Sequence, residues 1–426
     1  MDSRKARRRP VLAGLAFAAA AAGCARVRTE PGPEPRPQAR VVVVGGGWGG
    51  LTAARELKRL AGVRLEVLLV EREDRYVSGP QSNLVLSGAQ RLQALTRDYR
   101  ALRERGVQVL NDEVVEVDPR SMRLTLRKVA ALRCDLMVLA PGLEPAADAL
   151  AAADAPDADA VSHAWRAGPE TVALRRRLEA LPDGGTVVLT VPQAPFSGSA
   201  APYERATLIA AWLRRTRPRA RVIVLDANSE PVAMPDGFAA HWSGPLRGRL
   251  IYRPSSPALE IDARARTVLT RDGDRVRFDL INVVPAQQAA ALLRAAGLVD
   301  ARSRWVRVAW DTLESVHAPG VHVLGDATLA ARGMPKSAGV AAEHGRVAAA
   351  AIVARLEGRV PAPPELRDEG LAHVDERSAL RYTTRLRWSA ARRTLVDDGT
   401  DGPDAESVDA RRAQRSQQQA LDALFG

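Results

Sequence analysis

Cysteine is almost absent from this sequence. The 426 residues include only Cys24 and Cys134, and Cys24 stands at the end of an N-terminal leader. Because a cysteine at that position is either removed or acylated, no internal disulfide is expected, even in an oxidising compartment. The count alone excludes chemistry that needs a pair of thiols.

Lysine is scarce as well. Only four of the 62 basic residues are lysine, so arginine carries almost all of the formal net charge of +12. These arginines form no dense basic stripe and no DNA-reading motif is present, so nucleic-acid binding is not expected. The six histidines form no spaced cluster with cysteines or acids. No metal site is therefore predicted.

The leader lacks an apolar run that is long enough to span a membrane. Its apolar part covers residues 11–23 and is rich in alanine, whereas a spanning helix needs about 20 strongly apolar residues. Basic residues precede this run, so residues 1–24 are predicted to be an export signal. The pair Arg8-Arg9 resembles a twin-arginine signal, and residues 21–24, Ala-Ala-Gly-Cys, resemble a lipoprotein cleavage box.

Three outcomes for the leader stay open. They are lipidation of Cys24, ordinary cleavage near Ala22, and an uncleaved anchor. We predict an exported, periplasmic protein, and among these outcomes lipidation of Cys24 would be the attachment to a membrane. Residues 25–39 contain several prolines and are predicted to be a stiff, extended tether.

A glycine-rich loop follows the first predicted strand. The strand Arg40–Val44 leads into Gly-Gly-Gly-Trp-Gly-Gly at residues 45–50, then into a predicted helix, Leu51–Leu60. A second strand, Leu65–Val70, ends in Glu71, where an acid can bind ribose hydroxyls. Glycines with this spacing allow a tight turn and a close approach to a pyrophosphate at the helix N-terminus.

The loop therefore predicts a dinucleotide site, and a nucleotide-free Rossmann domain is the alternative. The predicted binding residues in this first unit are Gly45, Gly47, Trp48, Gly49, Gly50, Glu71 and Arg72.

Three later segments end strands that belong with this loop. They contribute the further predicted binding residues Val115, Ala140, Pro141, Gly142, Gly325 and Asp326. The set resembles flavoproteins with two dinucleotide-binding domains, in which the first domain holds FAD. In that superfamily the chain returns to the first domain after a long insertion, and the Asp of the Gly-Asp pair lies at the FAD ribitol. The resemblance implies that role for Asp326.

The insertion, residues 157–285, contains a second β-α-β unit. Its strands are predicted at Thr186–Val191 and Arg221–Leu225, with a helix at Pro202–Arg214 between them. The loop at residues 192–199 has one glycine and two prolines, which is not a pyrophosphate cradle. NAD(P) is therefore disfavoured.

The predicted fold class is α/β, with two Rossmann-like (FAD/NAD(P)-binding) domains, the second inserted in the first, and a small C-terminal α+β domain. The predicted boundaries are 40–156 with 286–358, 157–285, and 365–426.

An ordered set of segments resembles the flavoprotein subunit of flavocytochrome c sulfide dehydrogenase, which is close to sulfide:quinone reductases. Besides the glycine loop, these segments are Ser82–Val85, His163–Gly168, Ala194–Phe196, Pro202–Ala206, Ile281–Pro285, Gly325–Ala327 and Met334–Ser337. Residues 365–426 resemble a degraded form of the family's C-terminal flavin-binding domain, down to the final Phe425-Gly426.

The resemblance implies periplasmic sulfide oxidation, with FAD as cofactor and a cytochrome c as electron acceptor. The family uses two redox cysteines and often a third that ties FAD covalently. The matching positions here are Gly198, Val306 and, for the tether, Gly79. Sulfur transfer through a disulfide needs thiolates, so the sequence predicts non-covalent FAD and no sulfide turnover.

Two side chains are weak catalytic candidates. Lys336 lies in a segment that the family places near the flavin ring, where a cation would stabilise the reduced anion; the alternative is a surface lysine. Glu204 is either a general base near the flavin or a residue that caps a helix and forms salt bridges. His163 is predicted to have a structural role.

The sequence therefore favours an exported FAD-dependent oxidoreductase that passes electrons from an unidentified small-molecule donor to a cytochrome c-type acceptor. A redox-silent FAD-binding scaffold that kept the fold is the first alternative. A NAD(P)H-linked flavoprotein is the second.

Overall fold

The computed structural model describes residues 37–146, 160–398 and 406–426. The predicted export signal, Cys24 and nearly all of the predicted tether lie outside these residues. Among the described residues, no helix is both long and apolar enough to cross a membrane.

The secondary-structure elements are numbered here in chain order. The strands are β1 (Ala39–Val44), β2 (Leu65–Glu71), β3 (Arg75–Val77), β4 (Thr96–Asp98), β5 (Gln108–Asn111), β6 (Val114–Asp118), β7 (Arg123–Leu126), β8 (Leu132–Arg133), β9 (Leu136–Leu139), β10 (Leu143–Pro145), β11 (Val161–Ser162), β12 (Thr186–Val191), β13 (Arg221–Asp226), β14 (Leu250–Arg253), β15 (Ala258–Asp262), β16 (Thr267–Thr270), β17 (Arg275–Arg277), β18 (Leu280–Val283), β19 (Gln287–Ala289), β20 (Glu314–Ser315), β21 (Ala318–Val323), β22 (Glu365–His373), β23 (Ser378–Ser389), β24 (Thr394–Asp397) and β25 (Glu406–Asp409). The α-helices are α1 (Trp48–Ala61), α2 (Ser82–Ser87), α3 (Arg100–Glu104), α4 (Pro169–Ala180), α5 (Ala201–Thr216), α6 (Pro235–Ser243), α7 (Ala291–Ala295), α8 (Ala338–Leu356) and α9 (Ala410–Phe425).

A six-stranded sheet carries the glycine-rich loop. Its strand order is β20-β21-β9-β1-β2-β5, and every pair is parallel except the short edge pair β20-β21. Strand β1 is a β-branched run, and Val41, Val42 and Val43 have no exposed surface, as expected for a strand covered on both faces. Strands β20 and β21 return to this sheet after the insertion, as predicted.

The inserted segment forms a second parallel sheet. Its order is β11-β18-β12-β13-β14, with β12 paired to β13 and β18 in parallel register. Helix α5 follows β12 and packs on this sheet with a nearly continuous buried face. The predicted α/β fold class with two Rossmann-like units is confirmed.

The C-terminal segment is an antiparallel sheet followed by a helix. The long strand β23 pairs with β22, β24 and β25, and helix α9 then returns to the first sheet's domain. At its end, the Phe425 ring stacks on Tyr76, with centroids 5.1 Å apart and an angle of 17° between the planes. The tail is therefore anchored beside the glycine-rich loop.

Candidate functional site

The glycine-rich loop is too closely packed for side chains at two of its positions. A Cβ atom at Gly45 would lie 2.3 Å from the carbonyl oxygen of Ala140, and one at Gly50 would lie 1.9 Å from that of Gly45. Gly45 also has a φ of +95°, which L side chains rarely adopt. The glycines thus bring the ends of β1 and β9 against the start of α1.

The N-terminus of helix α1 has the features of an anion site. Its N-cap is Gly47, which offers no side-chain acceptor, and the first turn contains no acid. A Cβ at Gly47 would meet only Tyr76, at 4.0 Å, so this side of the loop is open. Free helix N–H groups on this open side fit a pyrophosphate.

Glu71 is held at the mouth of this loop. Its Oε2 accepts a hydrogen bond from the Gly46 N–H at 2.6 Å, and its Oε1 accepts one from the Glu73 N–H at 3.0 Å. Each carboxylate oxygen keeps a further lone pair for a ribose hydroxyl. Arg72 is exposed, and its Nε lies 3.7 Å from Oε1 of Glu73. Val115 lies on β6 of a separate antiparallel sheet with 44% of its surface exposed.

The other predicted cofactor segments reach the same edge of the first sheet. Residues 140–142 follow β9, and Gly325-Asp326 follow β21, which pairs with β9 in parallel. The backbone N–H of Gly325 donates to Nδ1 of buried His344 at 3.0 Å. Gly142 and Asp326 keep accessible surface. The carboxyl edge of an open parallel sheet is where such folds bind ligands, and these residues fit a dinucleotide.

Asp326 joins the two Rossmann-like units. Its Oδ2 accepts a hydrogen bond from the Ser197 hydroxyl at 2.5 Å, and its backbone carbonyl accepts one from the Lys336 ammonium at 2.5 Å. Burial raises the pKa of Asp326, while Lys336 and the Ser197 hydroxyl oppose that shift. Ser197 was not predicted from the sequence, because nothing in the local pattern shows which strand end it faces.

Lys336 is buried, with 4% of its surface exposed, and is not the surface lysine of the alternative interpretation. Its ammonium donates to the carbonyls of Asp326 and Thr328 and lies 3.9 Å from the centre of a Trp305 ring. Burial lowers the pKa of Lys336 to about 8, and the charge of Asp326 opposes the shift. It is thus a desolvated cation next to the Gly-Asp pair.

The positions at which the resemblance implies redox cysteines are built into other contacts. Gly198 has a φ of +67°, and its N–H donates to the Lys336 carbonyl at 2.7 Å. Val306 has no exposed surface, and its N–H donates to the Ala327 carbonyl. Gly79, at the tether position, is exposed, and a Cβ placed there would have nothing within 4 Å. Cys134 is half-buried, and burial raises the pKa of its thiol to about 12, so its thiol is unreactive.

Glu204 belongs to a buried polar network. Its Oε1 accepts a hydrogen bond from the backbone N–H of His373 at 2.8 Å, and its Oε2 accepts one from the side-chain amide of Asn83 at 2.7 Å. Burial raises the pKa of Glu204, and the interaction with His373 opposes that shift. The arrangement favours the structural interpretation of Glu204 over the general base.

The neighbouring Arg205 completes this network. Its guanidinium donates to the side chains of Asn83 and Asn282 and to the Ala164 carbonyl, and it stacks on Trp165. Four of the segments that carry the sequence resemblance therefore meet in one network that joins the domains. In the sequence these residues appear as polar positions inside otherwise apolar runs. The sequence alone did not show that these separate runs contact one another.

The carboxylate at the end of β13 in the second sheet is engaged by neighbouring side chains. Asp226 ends β13, is fully buried, and accepts hydrogen bonds from the hydroxyls of Tyr203 and Tyr252, both at 2.9 Å. Phe238 and Trp242 pack beside these tyrosines. The carboxylate that would meet a ribose is engaged by the protein itself.

Two other sequence expectations concern histidines and metals. The Nδ1 atom of His163 lies 3.2 Å from the Val283 carbonyl, a contact with backbone. Within the described ranges, no group of three or more His, Cys, Asp or Glu side chains is placed to hold a metal ion.

Comparison with known proteins gives two family matches. Residues 171–285 match the central domain of the sulfide dehydrogenase (flavocytochrome c) flavoprotein chain, and residues 39–176 match the pyridine nucleotide-disulphide oxidoreductase family.

Among characterised relatives, the mitochondrial sulfide:quinone oxidoreductase of Mus musculus is 25% identical over 329 residues, which are 72% of this chain and 69% of that protein. The enzyme of the same name from Dictyostelium discoideum is 22% identical over 67% of this chain and 65% of its own length.

Solved structures show the same fold. The sulfide:quinone oxidoreductase from Aquifex aeolicus superposes with a TM-score of 0.73 at 14% identity, covering 90% of each chain. A ferredoxin reductase from Rhodopseudomonas palustris gives a TM-score of 0.62 at 20% identity, covering 84% of this chain and 87% of its own. The chain is therefore similar to the sulfide dehydrogenase flavoprotein chain and to sulfide:quinone oxidoreductases, and it shares the fold of the latter.

Proposed function

We propose that this protein is an exported flavoprotein that binds FAD without a covalent bond and passes electrons from a donor other than sulfide to a cytochrome c-type acceptor. The proposal rests on two observations taken together. The glycine-rich loop, Glu71 and Asp326 converge at one sheet edge, while glycine and valine replace the cysteines of the sulfide reaction.

The chain's own residues divide the work of holding this cofactor. The N–H groups at the start of α1 would hold the pyrophosphate, Glu71 would bind the adenosine ribose, and Asp326 would bind the ribitol. Lys336 places a positive charge beside Asp326, which favours an anionic, reduced ring. Bound FAD supplies the ability to accept two electrons and release them one at a time.

Sulfide chemistry is excluded from this proposal on chemical grounds. The sulfide reaction runs through thiolate attack on a disulfide, and Ser197, Gly198 and Ser199 offer no sulfur. The hydroxyl of Ser197 donates a hydrogen bond to the Asp326 carboxylate. Unlike a disulfide, a hydroxyl and a carboxylate cannot be reversibly reduced by two electrons. The donor must therefore react with the flavin directly.

A redox-silent FAD-binding scaffold is the second candidate. The contact between Ser197 and Asp326 favours it, because a protein hydroxyl occupies one oxygen of the carboxylate expected to bind the ribitol. A NAD(P)H-linked enzyme has no comparable support, since the Asp226 carboxylate at the end of β13 is engaged by two tyrosine hydroxyls.

The test is the visible spectrum of the purified protein before and after acid precipitation. A flavin band that moves to the supernatant supports bound, non-covalent FAD. A Gly50→Ala variant should lose the band, since its Cβ would meet the Gly45 carbonyl. A Gly79→Ala variant should keep it, since that Cβ meets nothing. Folded wild-type protein that takes up no FAD, even when FAD is added, would refute the proposal.

Reduction of the bound flavin separates the first candidate from the second. Reoxidation by a cytochrome c after reduction supports the oxidoreductase. A flavin that no donor or acceptor exchanges electrons with supports the scaffold.

A further inference from the structure

A cavity of about 320 Å³ lies outside the cofactor site, where α2, α5 and the turn between β22 and β23 meet. Its floor is apolar and is formed by Leu84, Leu208, Ala211 and Trp212. The Trp212 ring is fixed by two guanidinium groups, since Arg175 lies 4.3 Å and Arg217 lies 5.2 Å from its centre.

The polar rim of this cavity carries an excess of positive charge. It contains Arg214, Arg215, Asp375, Glu376 and Arg377. The Glu376 carboxylate pairs with Arg215. Oδ1 of Asp375 accepts hydrogen bonds from the backbone N–H groups of Arg377 and Ser378. Its Oδ2 lies 3.7 Å from Nε2 of His241.

Both carboxylates are therefore engaged. Arg214 donates to a backbone carbonyl, that of Pro245. Neither Arg214 nor Arg377 pairs with a carboxylate in the described part of the chain.

We propose that this cavity binds a small amphipathic carboxylate, such as a free medium-chain fatty acid. Its chain would lie on the apolar floor, and its carboxylate would meet Arg214 and Arg377. The volume is at the lower end of the range for small-molecule sites. Arginine is the side chain best suited to pair with a carboxylate, and an apolar surface next to it selects an amphiphile.

The cavity is placed to couple the domains. Leu84 follows Asn83 of the buried network, Leu208 lies one turn beyond Glu204 on α5, and Asp375 is two residues beyond His373. A ligand here would touch each of the three segments that the network joins. Ligand binding to the folded state alone stabilises it, so the carboxylate raises the melting temperature. This inference does not depend on FAD binding.

Isothermal titration of the purified protein with decanoate tests the proposal, with decanol as the uncharged ligand of equal chain length. We expect saturable binding of decanoate at one site, at least tenfold tighter than decanol. Arg377→Glu should weaken it at least tenfold, and Ala211→Phe, which fills the floor, should abolish it. Arg387→Glu is the matched control, because Arg387 is exposed on β23 and does not line the cavity.

Thermal melting shows which variants fold. If Ala211→Phe does not fold, the pair Arg377→Glu and Arg387→Glu decides the question alone. Three results would overturn the proposal: no saturable binding of decanoate by the folded wild-type protein, equal affinity in the two arginine variants, or equal affinity for decanol.

Discussion

At the scale of single residues, glycine sets how closely the backbone segments of the cofactor site approach. Gly345 on α8 illustrates this, because a Cβ there would lie 2.5 Å from the Gly49 carbonyl. Helix α8 can therefore pack directly on the first turn of α1. The glycine spacing was visible in the sequence, whereas the role of Gly345 required knowledge of which helices pack together.

Asp368 is a buried carboxylate whose protonation should control stability. It is 5% exposed and accepts a hydrogen bond from the Ser337 hydroxyl. Burial raises its pKa from 3.8 to about 6. Because this pKa is raised in the folded state, the contribution of Asp368 to folding stability is most favourable below about pH 4. That contribution is lost as the pH rises through 6.

Asp368→Asn should therefore stabilise the protein at pH 7.5 by about 3 kcal/mol, and the difference should shrink towards pH 4. Urea unfolding at both pH values measures it. Glu365→Gln is the control, since Glu365 is exposed on the same strand. A gain in stability that is the same at pH 4 and pH 7.5 would contradict this account of Asp368.

Arg205 is a buried charge with a full set of partners. Removing it takes a donor from the Oδ1 atoms of Asn83 and Asn282 and leaves Glu204 without a neighbouring positive charge. We expect Arg205→Ala to lower the free energy of unfolding by about 3–5 kcal/mol. Arg166→Ala should lower the free energy of unfolding by less than about 1 kcal/mol. That side chain is 69% exposed, and its Nη2 lies 3.8 Å from Oε1 of Glu73. Equal losses in the two variants, measured by urea unfolding, would show that the network is not stabilising.

Gly198 decides whether the sulfide chemistry can be restored by substitution. The left-handed backbone there, with φ at +67°, disfavours a cysteine by about 1 kcal/mol or more. A Cβ would also lie 3.0 Å from that of Ala201. We predict that the double variant Gly198→Cys, Val306→Cys shows no sulfide-dependent reduction of cytochrome c. Sulfide-dependent turnover in this variant would mean that the loop readily changes its backbone.

At the scale of whole elements, the sequence predicted best where the signal is local. The first β-α-β unit was predicted from a β-branched run, a glycine turn and a helix, and β1, α1 and β2 match it within a few residues. Strand β12 was predicted with its observed bounds. Helix α4 was missed, although Pro169 at its start and Glu170 in its first turn are helix-start signals.

What the sequence could not provide is pairing between distant segments. The contact between Ser197 and Asp326 joins residues 129 apart, and the contact between Glu204 and His373 joins residues 169 apart. Neither follows from spacing or composition, because both depend on how the domains pack. The candidate cofactor site was thus predictable in its phosphate loop, and not in the contacts that close its other end.

The end of helix α9 is buried. Phe425 is 7% exposed and packs on both Tyr76 and Tyr99, and Arg55 donates to the carbonyl of Leu424. The final residues are therefore part of the first domain's core. This long-range contact gives the tail a structural role beside the glycine-rich loop.

Phe425→Ala should lower the free energy of unfolding by about 3 kcal/mol, through lost burial and ring stacking. Arg411→Ala, at the exposed start of the same helix, should change it by less than about 0.5 kcal/mol. Urea unfolding compares them. A Phe425→Ala protein as stable as the wild type would show that the tail is not part of the core.

At the scale of the whole molecule, the structure combines a candidate dinucleotide cradle with Gly198 and Val306, which stand at the positions where the resemblance implies two redox cysteines. The glycine-rich loop lies at the carboxyl edge of the first sheet, whereas Asp226, at the end of β13 in the second sheet, accepts hydrogen bonds from two tyrosines of an aromatic cluster. The edge of the first sheet is therefore the candidate site for a dinucleotide. The proposed donor therefore meets the flavin without a pyridine nucleotide or a disulfide as intermediary.

The most direct test of this claim is anaerobic reduction of the protein-bound flavin, followed by its visible absorbance. We predict that dithionite bleaches the flavin band and that cytochrome c restores it. We also predict that sulfide at the same concentration leaves the band unchanged. Bleaching by sulfide, followed by reduction of cytochrome c over many turnovers, would contradict the account.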